Sequence, residues 1–174
     1  MRFFKRLAVV MMAAALFAAP AAAGEIKIGY ANLQKALNES EAGLKAKDDL
    51  KVADQKLEEE FKTKQEDLKK MKEEIDKKGI AWNKETREKK ETEFKARVQE
   101  FQKGFMQKGD ELNKKKSEAE AKIITDLRDV VSSFAKEKSY TYIFEGSVGV
   151  ILHAPADADI TNEIIKAYNA KRRK

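Results

Sequence analysis

The chain has 174 residues, 38% of them charged, with 36 basic against 30 acidic side chains and no cysteine. The missing thiols exclude disulfide staples, cysteine metal sites and thiolate chemistry. So polar a chain holds little apolar material for one large globular core, and its modest positive charge falls well short of a dedicated nucleic-acid binder.

Arg2, Lys5 and Arg6 precede an apolar run at 7–19 and a small-residue site, Ala21-Ala22-Ala23. This is the pattern of a secretory signal peptide, and cleavage is expected after Ala23. The run is shorter than the ~20 residues a membrane-spanning helix needs; an uncleaved anchor is the competing reading. Removing 23 of 174 residues leaves 151, with 33 basic side chains (36 less those three) against 30 acidic ones, a net of +3. Residues 24–174 are read as a single domain.

Ile26, Ile28 and Tyr30 alternate with Lys27 and Gly29, the period of a strand, and Asn32 stands where it caps the helix that follows. From 33 to 138 there is no proline, and Glu, Lys, Ala, Leu and Gln dominate. Leu57, Phe61, Leu68, Met71 and Ile75 form one coiled-coil-like stripe, with Lys64 at its skipped position. Phe94, Val98, Phe101, Phe105, Leu112 and Ala119 form a second. Between them, Lys77-Lys78-Gly79-Ile80-Ala81-Trp82-Asn83 reads as the turn of a hairpin with its tip at about 79–84. An uninterrupted helix is the local alternative, because one glycine costs only about 1 kcal/mol. Two arms of ~40 to 45 residues would each reach roughly 60 to 70 Å, so they must project beyond a compact body. Lysines in the stripes, with Gly104 and Gly109 in the second arm, should let the arms bend.

After the arms, 140–144 is aromatic and β-branched, Glu145-Gly146-Ser147 is turn material, and 148–153 reads as another strand. Pro155 stops it. Asp159 is placed to cap a final helix at 160–170, in which Ile160, Ile164 and Tyr168 share a face. The fold expected is therefore α+β and mostly α. A long helical hairpin at 32–138 projects from a small body made of 24–31 and 139–170. Three strands and one short helix make a marginal core, so association of copies is expected through Ile26, Ile28, Ile124, Leu127 and Val131.

His153 is the only histidine, the carboxylate pair Glu73-Glu74 lies on a charged helix face, and the eight glycines form no phosphate loop. These features point to a protein that is not an enzyme and takes no cofactor or metal. What remains is apolar surface mixed with charge. Most stripe residues suit the hairpin's own seam. Met106 next to Phe105 cannot share that seam with it, and Trp82 is hard to bury in a two-helix turn. Between 62 and 90 there are eleven basic residues against seven acidic ones, among them Lys69, Lys70, Lys77 and Lys78. Trp82, Phe105, Met106 and these lysines are the candidate binding residues, suited to acidic polypeptide segments or an anionic membrane surface. Lys171-Arg172-Arg173-Lys174 is read as a mobile basic tail.

The opening IKIGYANLQKAL, the segment YTYIFEGSVGVILHA and the ending DADITNEIIKAYN, set around a long charged hairpin, resemble the Skp/OmpH family of periplasmic chaperones. The resemblance spans essentially the whole mature chain, and Asp159-Ile160-Thr161 is its most specific part. It implies a trimer whose β-body carries three helical tentacles, which enclose unfolded outer-membrane proteins without using ATP. Two glycines in Glu145-Gly146-Ser147-Val148-Gly149 depart from the pattern. The rival readings are a structural or adaptor coiled coil with one fixed partner, and an envelope lipid-binding protein.

Overall fold

The computed structural model describes residues 26–173; the expected signal peptide lies outside them. Strand β1 (Ile28–Ala31) is followed by α1 (Leu33–Glu39), α2 (Glu41–Lys78), α3 (Lys84–Glu137), β2 (Tyr142–Glu145), a 3-10 turn (Ala156–Ala158) and α4 (Thr161–Arg172). Helices α2 and α3 are the hairpin arms, of 38 and 54 residues. At 1.5 Å per residue they run about 57 and 81 Å. The expected tip is found: only 79–83 separates them. No helix among the described residues is long and apolar enough to cross a membrane.

The helix ends follow from local chemistry. Asn32 Oδ1 accepts the Lys35 N–H at 2.7 Å to start α1, and Asn83 Oδ1 accepts the Thr86 N–H at 2.8 Å to start α3. Gly79 ends α2 in right-handed geometry (φ −58°). A Cβ there would lie 2.5 Å from the Ile75 carbonyl oxygen, so a close approach, not a left-handed conformation, calls for glycine. Helix α3 closes on Ser139, at φ 56°, with the Tyr140 N–H donating to the Ala135 carbonyl at 2.9 Å. That is the six-to-one bond of a Schellman ending, and Tyr140 stacks on Phe134 beside it.

Within the helical hairpin expected over 32–138, the first arm is broken at Ser40. Its backbone is extended (φ −70°, ψ 152°), and its hydroxyl oxygen accepts the Gly43 N–H at 3.2 Å to begin α2. Among the described residues the body also has two strands, not three. They pair in parallel, with Ile28 opposite Tyr142 and Ala31 opposite Glu145. An isolated bridge from Tyr30 to Asp159 covers the other edge of β1, and among the described residues no strand pairs with the second edge of β2. Residues 148–153 form no strand: Ile151 and His153 line a cavity with β1 and Phe144, but no backbone ladder joins them to a strand among the described residues. Helix α4 starts one residue later than expected, at Thr161, whose N–H donates to Asp159 Oδ1 at 2.9 Å.

One apolar cluster holds the body and the arm roots together. Ala31, Leu33, Ala36 and Leu37 meet Ile123, Leu127 and Val130 of α3, and Ile160, Ile164 and Tyr168 close the third side. Leu127, expected at a contact between copies, is 0% exposed and belongs to this core. It faces inward because it lies on the stripe of α3 that α1 and α4 cover.

Candidate functional site

Beyond the root, the arms bury very little. Among the described residues of α2 only Gly43 and Phe61 are buried, and in α3 only Ile123, Leu127 and Val130, all at the root. Phe61 is clasped edge-on by Phe101 and Phe105, with ring centroids 5.4 and 5.1 Å away. Lys64 explains the skipped stripe position: its ammonium lies 5.3 Å from the Phe61 ring centroid and pairs with Glu60 at 2.6 Å. That ion pair holds the exposed Glu60 carboxyl below its ordinary value.

On either side of this clasp the arms part. Toward the root a cleft of about 580 Å³ is lined by Leu37, Ala46, Leu50, Leu112, Ala119 and Ile123, with Lys47, Lys51 and Lys116 among its polar residues. Toward the tip a smaller one, of about 290 Å³, lies among Leu68, Met71, Arg97 and Phe101. Ala46 and Ala119 are too short to fill the seam between helices of this length, which leaves apolar surface beside dense charge.

The candidate binding residues are spread along the arms and do not converge on a pocket. Phe105 and Met106 are 58% and 69% exposed, even though one face of Phe105 touches Phe61. Trp82 differs from expectation: it is half-buried, and Ile80, two residues earlier and 93% exposed, is the large apolar side chain the tip presents to solvent. Lys70, Lys77 and Lys78 pair with Asp67, Glu73 and Glu74 at 3.3–3.4 Å, all solvent-exposed and one turn away on the same helix. Lys69 makes no ion pair among the described residues. Glu73 and Glu74 are thus ordinary surface partners of lysines, His153 is exposed, and no group of metal-binding side chains exists among the described residues.

In the body, Ile26, Ile28, Tyr142, Phe144, Val148, Val150 and Leu152 are all exposed, Leu152 at 96%. Ile124 and Val131 are partly buried against the core. The connection after β2 is held by Glu145, whose carboxylate accepts the Leu33 N–H at 3.1 Å and the Ser147 N–H at 3.0 Å. Burial alone would raise this carboxyl; hydrogen bonds from the Ser147 hydroxyl and from the Leu33, Ser147 and Val148 amides outweigh it and hold it below the usual glutamate range. Both glycines of this connection have a reason. A Cβ at Gly146 would meet the Tyr30 ring at 2.8 Å, and Gly149 has φ +70°. The motif Asp159-Ile160-Thr161 also has a mechanical role: the Thr161 hydroxyl donates to Asp159 while its oxygen accepts the Asn32 N–H at 2.9 Å, which fastens α4 to the start of the hairpin.

Sequence reasoning missed Ile80, the Ser40 break, the Glu145 cap and the contacts of the last turn. For Ser40 a signal was present, since Ser40-Glu41 is an N-cap followed by an acidic first-turn residue.

The chain is 29% identical over 167 residues to a Skp-like protein of Pseudomonas aeruginosa, covering 94% of this chain and 96% of that one. Its fold matches the crystal structure of a candidate outer membrane chaperone (OmpH-like) from Caulobacter crescentus. That match has a TM-score of 0.79, covers 84% and 85% of the two chains, and comes with 15% sequence identity, so it speaks for the fold alone. The family model for outer membrane protein (OmpH-like) spans residues 27–168, from the first strand to the buried Tyr168 of the last helix. With both ends of the body and the whole hairpin inside that match, the chain belongs to the Skp/OmpH family.

Proposed function

We propose that the protein is an ATP-independent holdase of the periplasm, which binds unfolded outer-membrane β-barrel proteins and keeps them from aggregating on their way to the outer membrane. The observation that carries this reading is the unsealed state of the arms. Outside the root, Phe61 is the only large side chain they bury among the described residues, while Leu44, Val52, Ile80, Phe105 and Met106 stay exposed among mixed charges. A rigid spacer would gain from filling its seam. Arms left with scattered apolar contacts and diffuse charge suit many unfolded sequences, each held weakly enough to leave. Holding the unfolded chain lowers its free concentration, and aggregation slows by mass action.

The same reading makes the protein a homo-oligomer, a trimer in keeping with its family resemblance. A two-stranded sheet with a free edge, ringed by Ile26, Ile28, Tyr142, Phe144, Val150 and Leu152, is marginal by itself and is completed when copies meet. Ile124 and Val131 then lie at the rim of that contact. Residues 1–23 direct export and are removed, and the cationic distal half of the hairpin provides for contact with acidic client segments or an anionic membrane surface. The reading is one of binding without catalysis and without a cofactor.

The test dilutes a denatured outer-membrane β-barrel protein into buffer containing a molar excess of the mature protein and follows light scattering. Suppressed scattering is the expected result. An unchanged aggregation curve, with one stoichiometric folded partner recovered from envelope extracts instead, would favour the adaptor reading.

A further inference from the structure

We propose that the last turn of α4 is a salt-released strap that sets how far the two arms gape at their root. Arg172 and Arg173 are neighbours in sequence but are tied to different arms. Arg172 pairs with Asp126 of α3 at 3.4 Å, and Arg173 pairs with Glu41, the first residue of α2. Asn169 adds a second tie to the same arm, its side-chain oxygen accepting the Glu41 N–H at 3.0 Å. Tyr168 anchors the turn: its ring is buried in the core, and its hydroxyl reaches Asp126 at 3.4 Å. The residues read from sequence as a mobile tail thus include a bridge between the arms.

The position of the bridge gives it leverage. The 580 Å³ cleft opens beyond it; Leu37 and Ile123 at its lower end belong to the root core, and farther out Lys47, Lys51, Lys116 and the short Ala119 line it. The next contact that pins the arms is the Phe61 clasp. The seam is therefore fixed at two points with an unfilled stretch between them, and the lower point includes two exposed ion pairs. Exposed pairs are weak and are screened as salt rises. The strap holds at low ionic strength and yields at high ionic strength without unfolding the body, because Tyr168 and Ile164, buried in the core, anchor the rest of α4 independently of the ion pairs. That the gape matters for clients rests on the holdase reading; the gape itself does not.

The chain has no cysteine, so spin labels can be placed at Lys51→Cys and Lys116→Cys across the cleft. The doubly labelled chain, mixed into an excess of unlabelled chain, is measured by pulsed dipolar spectroscopy. At low salt a narrow distance distribution is expected. It should broaden and shift to longer distance in Arg172→Gln/Arg173→Gln, and likewise in the unsubstituted strap at about 1 M salt, where screening acts within about 3 Å. The exchanged pair Glu41→Arg with Arg173→Glu should restore the narrow distribution, with far-UV circular dichroism and melting temperature little changed throughout. Coincident low-salt distributions for the parent and the double glutamine variant would overturn the proposal, as would failure of the exchanged pair to restore the parent distribution. If the strap responds as described but aggregation is not suppressed, the holdase reading falls and the strap stands.

Discussion

The carbonyl oxygen of Leu37 lies so close over Gly43 that a Cβ at position 43 would sit 1.6 Å from it. The break at Ser40 brings the end of α1 against the start of α2, and only a residue without a side chain fits beneath that carbonyl. Elsewhere in a helix, Gly→Ala would gain about 1 kcal/mol of propensity. Here a backbone oxygen cannot rotate away, so Gly43→Ala should destabilise the protein by about 1 to 3 kcal/mol in urea unfolding. Gly104→Ala and Gly109→Ala should do the opposite. A Cβ at 104 meets the Phe61 ring at an ordinary 3.9 Å, and one at 109 meets nothing. Each should stiffen its arm by up to about 1 kcal/mol, read as slower amide exchange along α3.

Glu145 makes the stability of the body depend on acid. Its hydrogen bonds to Leu33 and Ser147 hold the folded carboxyl below its ordinary value, so the unfolded chain binds the proton more readily. The stability it contributes is present above the ordinary glutamate range and is lost as pH falls through the lowered folded value. Melting curves of the parent and Glu145→Gln should therefore differ at neutral pH and converge in acid. Curves that stay parallel throughout would rule out this carboxylate as the source.

Removing the clasp should loosen the arms selectively. Phe→Ala in a full core costs about 3 to 5 kcal/mol, and Phe61 is 5% exposed but flanked by clefts on both sides. Phe61→Ala should therefore cost less than that range, and amide protection should fall in α2 and α3 beyond the root while the strands and α4 keep theirs. A uniform loss across the body would show that the arms and the body unfold as one unit.

Which features could be read from sequence follows from what each depends on. The arms and the 79–83 turn depend on local propensity and a stripe period, both contained in neighbouring residues. The Asn32 cap and the Asp159-Thr161 start of α4 are likewise local. Residues 148–153 have the alternation of a strand, but a strand also needs ladder bonds to a partner, and among the described residues they join no sheet. The Leu37–Gly43 contact depends on the break at Ser40, which helix-forming residues on both sides conceal. At the tip, exposure was assigned to Trp82 by size, whereas the turn geometry gave it to Ile80. The candidate site is a spread surface, so composition indicated its character and could not rank its members.

Client affinity should reside on the arms and be separable from stability. Ile80→Ser with Met106→Ser removes two of the most exposed apolar side chains and no buried contact. It should weaken holding of a denatured β-barrel protein while the oligomer's mass and melting temperature hold; Trp82→Ser, at a half-buried ring, should disturb the tip as well. Reversing Lys69, Lys70, Lys77 and Lys78 should slow client capture most at low salt, because diffuse attraction acts on the encounter. Capture rates that do not respond to salt would remove the electrostatic part of the mechanism.

The proposed oligomer provides the sharpest test of the body. Val150 and Leu152 are 74% and 96% exposed in the single chain, so Val150→Asp and Leu152→Asp leave its own core untouched. If copies meet there, each carboxylate is buried without a partner on assembly, which is strongly disfavoured. Either variant should then lower the mass in solution from that of a trimer to that of a monomer, with helix content retained. Leu127→Asp should behave differently, unfolding the root along with the assembly, because its side chain is already sealed inside one chain. If both surface variants kept the parent mass, the exposed ring of the body would not be the joining surface. If the parent itself proved monomeric at micromolar concentration, no enclosed space would exist between arms, and the adaptor reading would become the better account of the hairpin.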